Sequence, residues 1–539
     1  MKYTALPILI FVVLVNYATH VVDLPLRGEE SRWGQVAREM EASGDWIVPR
    51  EQGEPFHSRP PFHSWLIALS AKLVGGFNVW ALRLPSLFAT LGATLLVYFY
   101  VRRFASWSAA LVAGLAFATS GATMQNARLA ETESVYLFVV AGSLLLWHIG
   151  YTANRSRGLV WAVGYALAAC ALLTKGPQGV CYFIGPTFVY LLWQRDWRWL
   201  VSWGHLFGIA VFVAIVGTWL ILFARQLDGQ GVYAIFTGDI AMRFQVITTP
   251  VIVMHLLTYP LEIFAVLMPW SAFLPAYLSR GVRDSLGTAR PMVGFVAVCI
   301  AVTFPTCWFV PTARTRYFMT MFPMIAILVA PIAQQLFATR VSSAVARGWK
   351  VVVYGTATVM VAAGVAVIAV SWVIDSPRVQ PYAQASWVVV VYSTLIVGLV
   401  AAMRWAEGGL GTRRVGVAIA ALVLFMSASS TWVGTNHAIA RAPATIADIE
   451  KIRMRIAPEE ELISFGPIHH LFAFHFDRPI RLCRSPKETG ATPYFCYTTY
   501  NGIRLPLPFE YEELAVVSMD RTRTANPSCD VIVGVKLPR

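Results

Sequence analysis

The sequence predicts an α-helical polytopic membrane protein carrying a small α/β domain at its C-terminal end, and three observations carry that prediction. Of the 539 residues, 57% are hydrophobic and only 13% charged, with a mean hydropathy of +0.59. Apolar runs able to cross roughly 30 Å of hydrocarbon as helices recur along most of the chain. Beyond residue 435 the chain turns polar and mixes short strand-like and helix-like stretches. Soluble proteins carry about a quarter charged residues, which excludes a soluble enzyme, a disordered chain and a nucleic-acid-binding domain as the main identity.

The apolar runs lie at 3–20, 81–101, 107–123, 133–151, 158–174, 177–193, 204–224, 254–279, 291–310, 317–338, 350–374, 385–403 and 415–434, about thirteen spans by length. The first follows Lys2 as a signal peptide would, but no clear small-x-small site precedes His20 and Asp23, so it reads as a retained helix. The formal net charge of +14, from 43 Lys and Arg against 29 Asp and Glu, takes its meaning from sidedness. With the N-terminus inside, the inward loops hold Arg102 and Arg103, Arg155 and Arg157, Arg195 and Arg198, Arg280, Arg283 and Arg290, Arg340, Arg347 and Lys350, and Arg404, Arg413 and Arg414. Every one is basic, as the positive-inside rule requires. An odd number of spans then puts 436–539 outside, as a soluble domain following a transmembrane domain over 1–435.

Two outward loops, 21–80 and 225–253, are long enough for structure of their own. In the first, Trp33, Val36, Ala37 and Met40 recur at helical spacing while Glu30, Gln35, Arg38 and Glu41 face elsewhere, which predicts an amphipathic helix at the membrane surface. Phe62 to Val74 is short for a span and reads as interfacial or re-entrant. In the tail, Thr445 to Arg455 reads as helix, and Glu461 to Phe465, Leu514 to Ser518 and Asp530 to Val535 as strands. Cys170, Cys181, Cys299 and Cys307 lie in apolar stretches as packing residues. Cys483, Cys496 and Cys529 sit in the tail, where an oxidised pair with one remaining thiol is open. No Cys or His spacing suggests a zinc site.

Outward loops should be poor in Lys and Arg, yet they hold Arg32, Arg59, Arg128, Lys175, Arg243, Arg314 and Arg316. Cations that oppose the topology signal, gathered on one face, suggest an anion held there. In His57-Ser58-Arg59-Pro60-Pro61 the prolines keep Arg59 extended and preset the first turn of a helix, setting a guanidinium beside free N–H groups. In Lys175-Gly176-Pro177 the glycine ends one helix and the proline begins the next, leaving the ammonium at the interface. Arg314-Thr315-Arg316-Tyr317 opens a further span. A single such residue reads more readily as a lipid-headgroup anchor; three on one face favour a shared anion site. Carboxylates join them: Glu29 and Glu30 precede the amphipathic helix, Arg32 follows Glu29 by three residues, and Glu131 and Glu133 lie at the outer end of a span. Acidic residues at a helix start are commonly dipole complements, but a carboxylate base opposite a cationic phosphate site is what transfer from a phosphate-activated donor needs.

These residues resemble the GT-C superfamily of polyprenyl-phosphate-dependent membrane glycosyltransferases, in the branch of bacterial 4-amino-4-deoxy-L-arabinose transferases and, more distantly, protein O-mannosyltransferases. The resemblance runs from residue 1 to about 340 through Arg27-Gly28-Glu29-Glu30-Ser31-Arg32-Trp33, Gly44-Asp45-Trp46-Ile47-Val48-Pro49, Arg59-Pro60-Pro61, Lys175-Gly176-Pro177, Pro269-Trp270 and Arg316-Tyr317. The family's first outer loop usually reads Asp-Glu-x-x-Arg-Tyr; Glu29 holds its acidic first position here, one methylene longer, with Glu30 and Arg32 following. Its Tyr-Phe-Glu-Lys-Pro-Pro is Phe56-His57-Ser58-Arg59-Pro60-Pro61 in this chain, so Tyr, Glu and Lys are all replaced. Glu133 takes the place of the second-loop acid, and Lys175 and Tyr317 match positions implied in holding the lipid phosphate.

The resemblance implies transfer of a sugar from a polyprenyl-phosphate donor to an acceptor at the periplasmic face of a bacterial inner membrane, with inversion. It implies Glu29 and Glu133 as catalytic carboxylates, Arg59, Lys175, Arg316 and Tyr317 as donor-phosphate ligands, and Glu30, Arg32 and Arg243 in support. The acceptor implied is a glycolipid such as lipid A or an envelope glycan, with a protein acceptor as the alternative. The basic residues can neutralise the phosphate, so a divalent cation is admissible and not required. A transporter is the rival from another class; it would place ionisable groups near the midplane in paired halves, whereas here they cluster at one face.

Overall fold

The computed structural model describes residues 4–19, 21–227, 233, 235, 248–311, 313–338, 341–373, 386–407, 412–439, 443–485, 492–500, 502–519 and 529–537. His20, Arg243, Arg340 and most of the 225–253 loop lie outside these residues. The chain divides into two compact units, one of 1–19, 86–128 and 132–434, the other of 20–85, 129–131 and 435–539.

The first unit is helical. Among the described residues, eight helical stretches in the chain are long and apolar enough to cross a membrane: Val79–Arg102, Thr132–Thr152, Arg157–Lys175, Trp203–Gln226, Thr249–Val266, Gly287–Trp308, Thr315–Leu336 and Arg413–Thr431. Shorter apolar helices cover Ala5–Tyr17, Phe62–Val74, Trp107–Ala118 and Ser393–Trp405. Without water to satisfy the backbone, a helix is the structure such a run can adopt in hydrocarbon. The 254–279 run, read as one span, divides: its helix ends at Val266 and a 3₁₀ helix covers Trp270–Leu278, where Pro269 supplies no N–H to continue the ladder. Buried polar links tie helices distant in sequence, as where the Asn16 amide donates to Ser427 Oγ at 2.9 Å and Tyr17 donates to the carbonyl of Ala118 at 2.6 Å.

The second unit combines the first loop with the tail. Helix Glu30–Ser43 ends at Gly44, whose φ of +72° closes it in the left-handed region. Its Trp33 and Ala37 pack with Ile67, Ala68 and Ala71 of the helix Phe62–Val74, with Leu82 and with Phe474. The apolar stripe is thus covered by protein within this unit. Glu30 and Gln35, expected on the polar face, are buried; for Glu30 the cause is an internal ion pair described below. Between the two helices, strands β1 (Arg50–Glu51) and β2 (Glu54–Pro55) form a small hairpin.

The tail forms a five-stranded mixed sheet of β3 (Leu462–Phe465), β4 (Ile480–Cys483), β5 (Tyr494–Tyr500), β6 (Tyr511–Ser518) and β7 (Cys529–Lys536), in the order β4-β3-β5-β7-β6. β3 runs parallel to β4 and β5, while β7 is antiparallel to β5 and β6. Side chains alternate across the pleat. Val531 and Val533 pack with Ile449 and Ile452 of the helix Pro443–Arg455 and with Phe472 of the helix His470–Phe476. Ile532, between them, joins Ile463, Phe495 and Tyr497 on the opposite face. Cys483, Cys496 and Cys529 are all buried.

Candidate functional site

In the second unit the turn before helix Glu30–Ser43 gathers charge. Gly28 adopts φ +57°, which turns the chain into the helix at Glu29. The two adjacent glutamates then have opposite surroundings. Glu30 has no exposure and meets Arg83 at 2.8 Å through Nε and 2.9 Å through Nη2. It also accepts the N–H of Arg27 and of Ala130, both at 2.7 Å. Arg83 spends its remaining donors on the carbonyls of Val21, Leu24 and Pro25. With both carboxylate oxygens engaged twice, Glu30 is a structural anchor with no capacity left for a substrate.

Glu29 has a side chain 39% exposed. Arg32, one turn on, donates from Nη1 to its Oε2, and the Glu29 N–H is accepted by Glu131 at 3.1 Å, which also takes the indole N–H of Trp33 at 3.4 Å. Arg32 reaches a second carboxylate as well, its Nε lying 3.3 Å from Glu51. Burial pushes the Glu51 carboxyl above the ordinary carboxylate range, against the pull of Arg32. Arg59 belongs to this unit too: its Nη1 donates to the carbonyl of Ser58 at 2.7 Å, and the helix Phe62–Val74 opens just past it with Pro61 at the N-cap.

In the membrane unit a second cluster forms where three chain segments meet. Lys175 closes the helix Arg157–Lys175, followed by Gly176 at φ +95° and Pro177 at the cap of the next helix. Its ammonium lies 2.9 Å from Glu133, in the first turn of Thr132–Thr152. Arg316, in the 3₁₀ turn Thr315–Met321, places Nε 3.7 Å from the same carboxylate. Aromatic faces line the cations: the Lys175 ammonium stands 5.6 Å from the Tyr136 ring and 5.3 Å from Tyr317, with Arg316 5.7 Å from Tyr317. One carboxylate serves two cations, so these three groups together carry formal charge +1, a composition suited to holding an anionic oxygen.

The residues expected from the sequence thus gather as Glu133, Lys175, Arg316 and Tyr317 in one unit, and as Glu29, Glu30 and Arg32 in the other. Arg243 lies outside the described residues. Glu51, Arg83 and Tyr136 escape a sequence reading. Tyr136 alone carries a usable signal, three residues after Glu133 on one helix face. Among the described residues, no three His, Cys, Asp or Glu side chains gather as a metal-ligating set.

Comparison with known proteins finds partial sequence similarity and a shared fold. A family model described as dolichyl-phosphate-mannose-protein mannosyltransferase matches residues 58–222. The undecaprenyl phosphate-alpha-4-amino-4-deoxy-L-arabinose arabinosyl transferase of Pseudomonas aeruginosa (strain LESB58) is 30% identical over 220 residues, covering 40% of this chain and 39% of that protein. The protein of the same name from Edwardsiella ictaluri (strain 93-146) is 28% identical over 328 residues, 59% of this chain and 58% of its own length. The matches therefore span less than two thirds of those relatives. The crystal structure of ArnT from Cupriavidus metallidurans bound to undecaprenyl phosphate superposes over 98% of this chain and 97% of that one, with a TM-score of 0.73 at 20% identity. Its apo state gives 0.74 at 19%. The chain therefore shares the fold of the ArnT structures, and its residues 58–222 are similar in sequence to the mannosyltransferase family model.

Proposed function

We propose that the chain is a membrane glycosyltransferase that moves a sugar from a polyprenyl-phosphate donor to a glycolipid acceptor such as lipid A, or to another envelope glycan. The observation that carries the reading is the Lys175, Glu133, Arg316 and Tyr317 cluster, in which two cations converge on a single carboxylate beneath aromatic rings. Lys175 and Arg316 bind the donor phosphate and stabilise the charge it gains on leaving, with the Tyr317 hydroxyl as a donor. Glu133 orients the two cations, a positioning role in place of the catalytic one its sequence position implies. Glu29, the more exposed of the two adjacent glutamates, accepts the proton of an acceptor hydroxyl as its oxygen bonds to the anomeric carbon. The bond from that carbon to the phosphate oxygen breaks, its electron pair leaves with the polyprenyl phosphate, and a single displacement inverts the centre. The similarity to bacterial arabinosyl transferases favours a bacterial inner membrane, and the basic inward loops favour the chemistry and the C-terminal residues on its periplasmic side.

The test compares lipid-linked sugars and glycolipids of wild-type and deletion cells by mass spectrometry. It is paired with transfer by the purified chain in liposomes from undecaprenyl phosphate-linked 4-amino-4-deoxy-L-arabinose to lipid A. An accumulated polyprenyl-phosphate sugar and a missing glycoconjugate are expected. Unchanged lipids together with no binding of undecaprenyl phosphate by the purified chain would overturn the reading. The mannosyltransferase family match over 58–222 supports a second acceptor class, protein hydroxyls; loss of glycosylated protein with glycolipids intact would select it.

A further inference from the structure

Glu51 lies outside every motif that carries the family resemblance, yet the structure holds it with unusual care. It ends β1, next to a two-residue turn in which Gln52 and Gly53 adopt φ +53° and +79°. Both residues of a hairpin turn of this hand need positive φ, a conformation that a glutamine side chain disfavours. The turn is clamped from two sides. Glu39 of the preceding helix accepts the N–H of Gln52 at 2.8 Å and of Gly53 at 3.0 Å. From the sheet side, the Gln52 amide donates to Ser464 Oγ at 2.9 Å and accepts from the Ile468 N–H at 2.8 Å. A strained turn fixed by these hydrogen bonds sets the direction of its neighbour, and that neighbour's carboxylate meets Arg32.

Arg32 therefore stands between two carboxylates. Nη1 donates to Glu29, Nε faces Glu51 at 3.3 Å, and the Phe56 ring backs the guanidinium at 5.6 Å. A guanidinium left alone with Glu29 would turn its full fork onto that carboxylate and engage both oxygens. We infer that Glu51 is a positioning residue for the transfer reaction, drawing Arg32 to one side so that Glu29 spends one oxygen on the ion pair and keeps the other to receive the acceptor's proton. The inference deepens the proposed function and rests on Glu29 being the base.

The charged and titratable groups facing Glu51 are Arg32, Glu39 and Glu29, and Arg32 is also near Tyr500 of β5. Burial favours the neutral form of Glu51, so it gains a proton at a higher pH than an ordinary carboxylate does. Protonation releases its hold on Arg32. The rate of transfer should accordingly fall as pH drops through a range above that of ordinary carboxylates.

The experiment measures kcat and donor KM against pH for the full chain in liposomes, with undecaprenyl phosphate-linked 4-amino-4-deoxy-L-arabinose and lipid A. Glu51→Gln keeps the shape and fixes the neutral state. It should lower kcat on the order of tenfold at neutral pH, leave donor KM unchanged and remove the upper acid limb. Glu51→Asp, which restores the charge one methylene short, should recover part of the rate and the limb, and serves as the readout if Glu51→Gln accumulates poorly. Wild-type kcat and an unchanged limb in Glu51→Gln, or no recovery in Glu51→Asp, would overturn the inference. Glu29→Gln is run in parallel: an inactive Glu29→Gln beside a wild-type Glu51→Gln removes Glu51 alone, whereas an active Glu29→Gln removes the base reading and this inference with it.

Discussion

Lys175 holds its ammonium 2.9 Å from the Glu133 carboxylate with both side chains more than nine-tenths buried. Taking two charges out of water costs several kcal/mol each by typical measure, and their mutual attraction seldom repays it as stability alone. The arrangement makes chemical sense as a held charge. Arg316 at 3.7 Å adds a second cation to the one carboxylate, and the aromatic faces of Tyr136 and Tyr317 favour cations without neutralising them.

Removing the ammonium should therefore show in two measurements. Lys175→Ala leaves Glu133 buried with its nearer partner gone, a change that typically costs about 3–5 kcal/mol. It should also weaken undecaprenyl phosphate binding by on the order of tenfold or more. Lys175→Arg keeps the charge and should recover most stability but only part of the binding, because the planar fork places its donors differently. Thermal unfolding and titration of the purified protein with undecaprenyl phosphate check both. Unchanged binding in Lys175→Ala would remove Lys175 from the phosphate site.

Adjacent glutamates should fail in opposite ways. Glu29→Gln keeps size and removes a basic oxygen, so transfer should drop on the order of 10²-fold or more while protein level and unfolding temperature stay near wild type. Glu30→Gln breaks the buried pair with Arg83, and the uncompensated guanidinium should cost about 3–5 kcal/mol and deplete the protein itself. Expression level read beside specific activity separates the two. Loss of folded protein in Glu29→Gln would reassign it to a structural role.

The membrane helices were legible because composition and run length decide them without tertiary help. The pairing of Glu29 with Arg32 was legible from helical spacing alone. What separates Glu29 from Glu30 was not: both precede the same helix, and only Arg83, inside an apolar run, buries one of them. Glu133 and Lys175 were each visible at a span end, but their contact bridges 42 positions of sequence, and no local pattern encodes it. Strand β5 was missed because residues 495–497 are buried in succession, which erases the alternation that marks a half-exposed strand. The helix His470–Phe476 has seven residues, too few to display a period. Glu51 was invisible because its meaning comes from a turn held by Glu39 and by the sheet.

Helix Glu30–Ser43 packs tightly against its neighbours at Gly34. A Cβ there would lie 2.7 Å from Phe474 Cε2 and 2.9 Å from Leu82 Cδ2. Phe474 is buried, so its ring has little freedom to retreat. Gly34→Ala should cost about 1–3 kcal/mol despite the better helix propensity of alanine, and Gly34→Val more. Unfolding of the purified protein monitored by Trp33 and its neighbours checks the sign; a stabilised Gly34→Ala would mean the ring can yield.

His475 gives the second unit a defined sensitivity to acid. Burial, and next the positive charge of Arg38, lower its imidazole from an ordinary 6.5 to about 4, while Asp477 opposes them. A folded-state value below the unfolded one means the neutral ring is preferred in the native state. The stabilisation is thus complete above pH 6.5 and is lost progressively as pH falls towards 4, by about 3 kcal/mol from this group alone. The cationic ring would have to charge in a half-buried position beside Arg38, whose own guanidinium lies 2.9 Å from Asp477. His475→Gln keeps polarity and cannot take up the proton, so its unfolding temperature should fall less than that of wild type between pH 6.5 and 4. The comparison needs only thermal scans of the full chain at several pH values. Parallel pH curves for the two proteins would show that the acid response originates elsewhere.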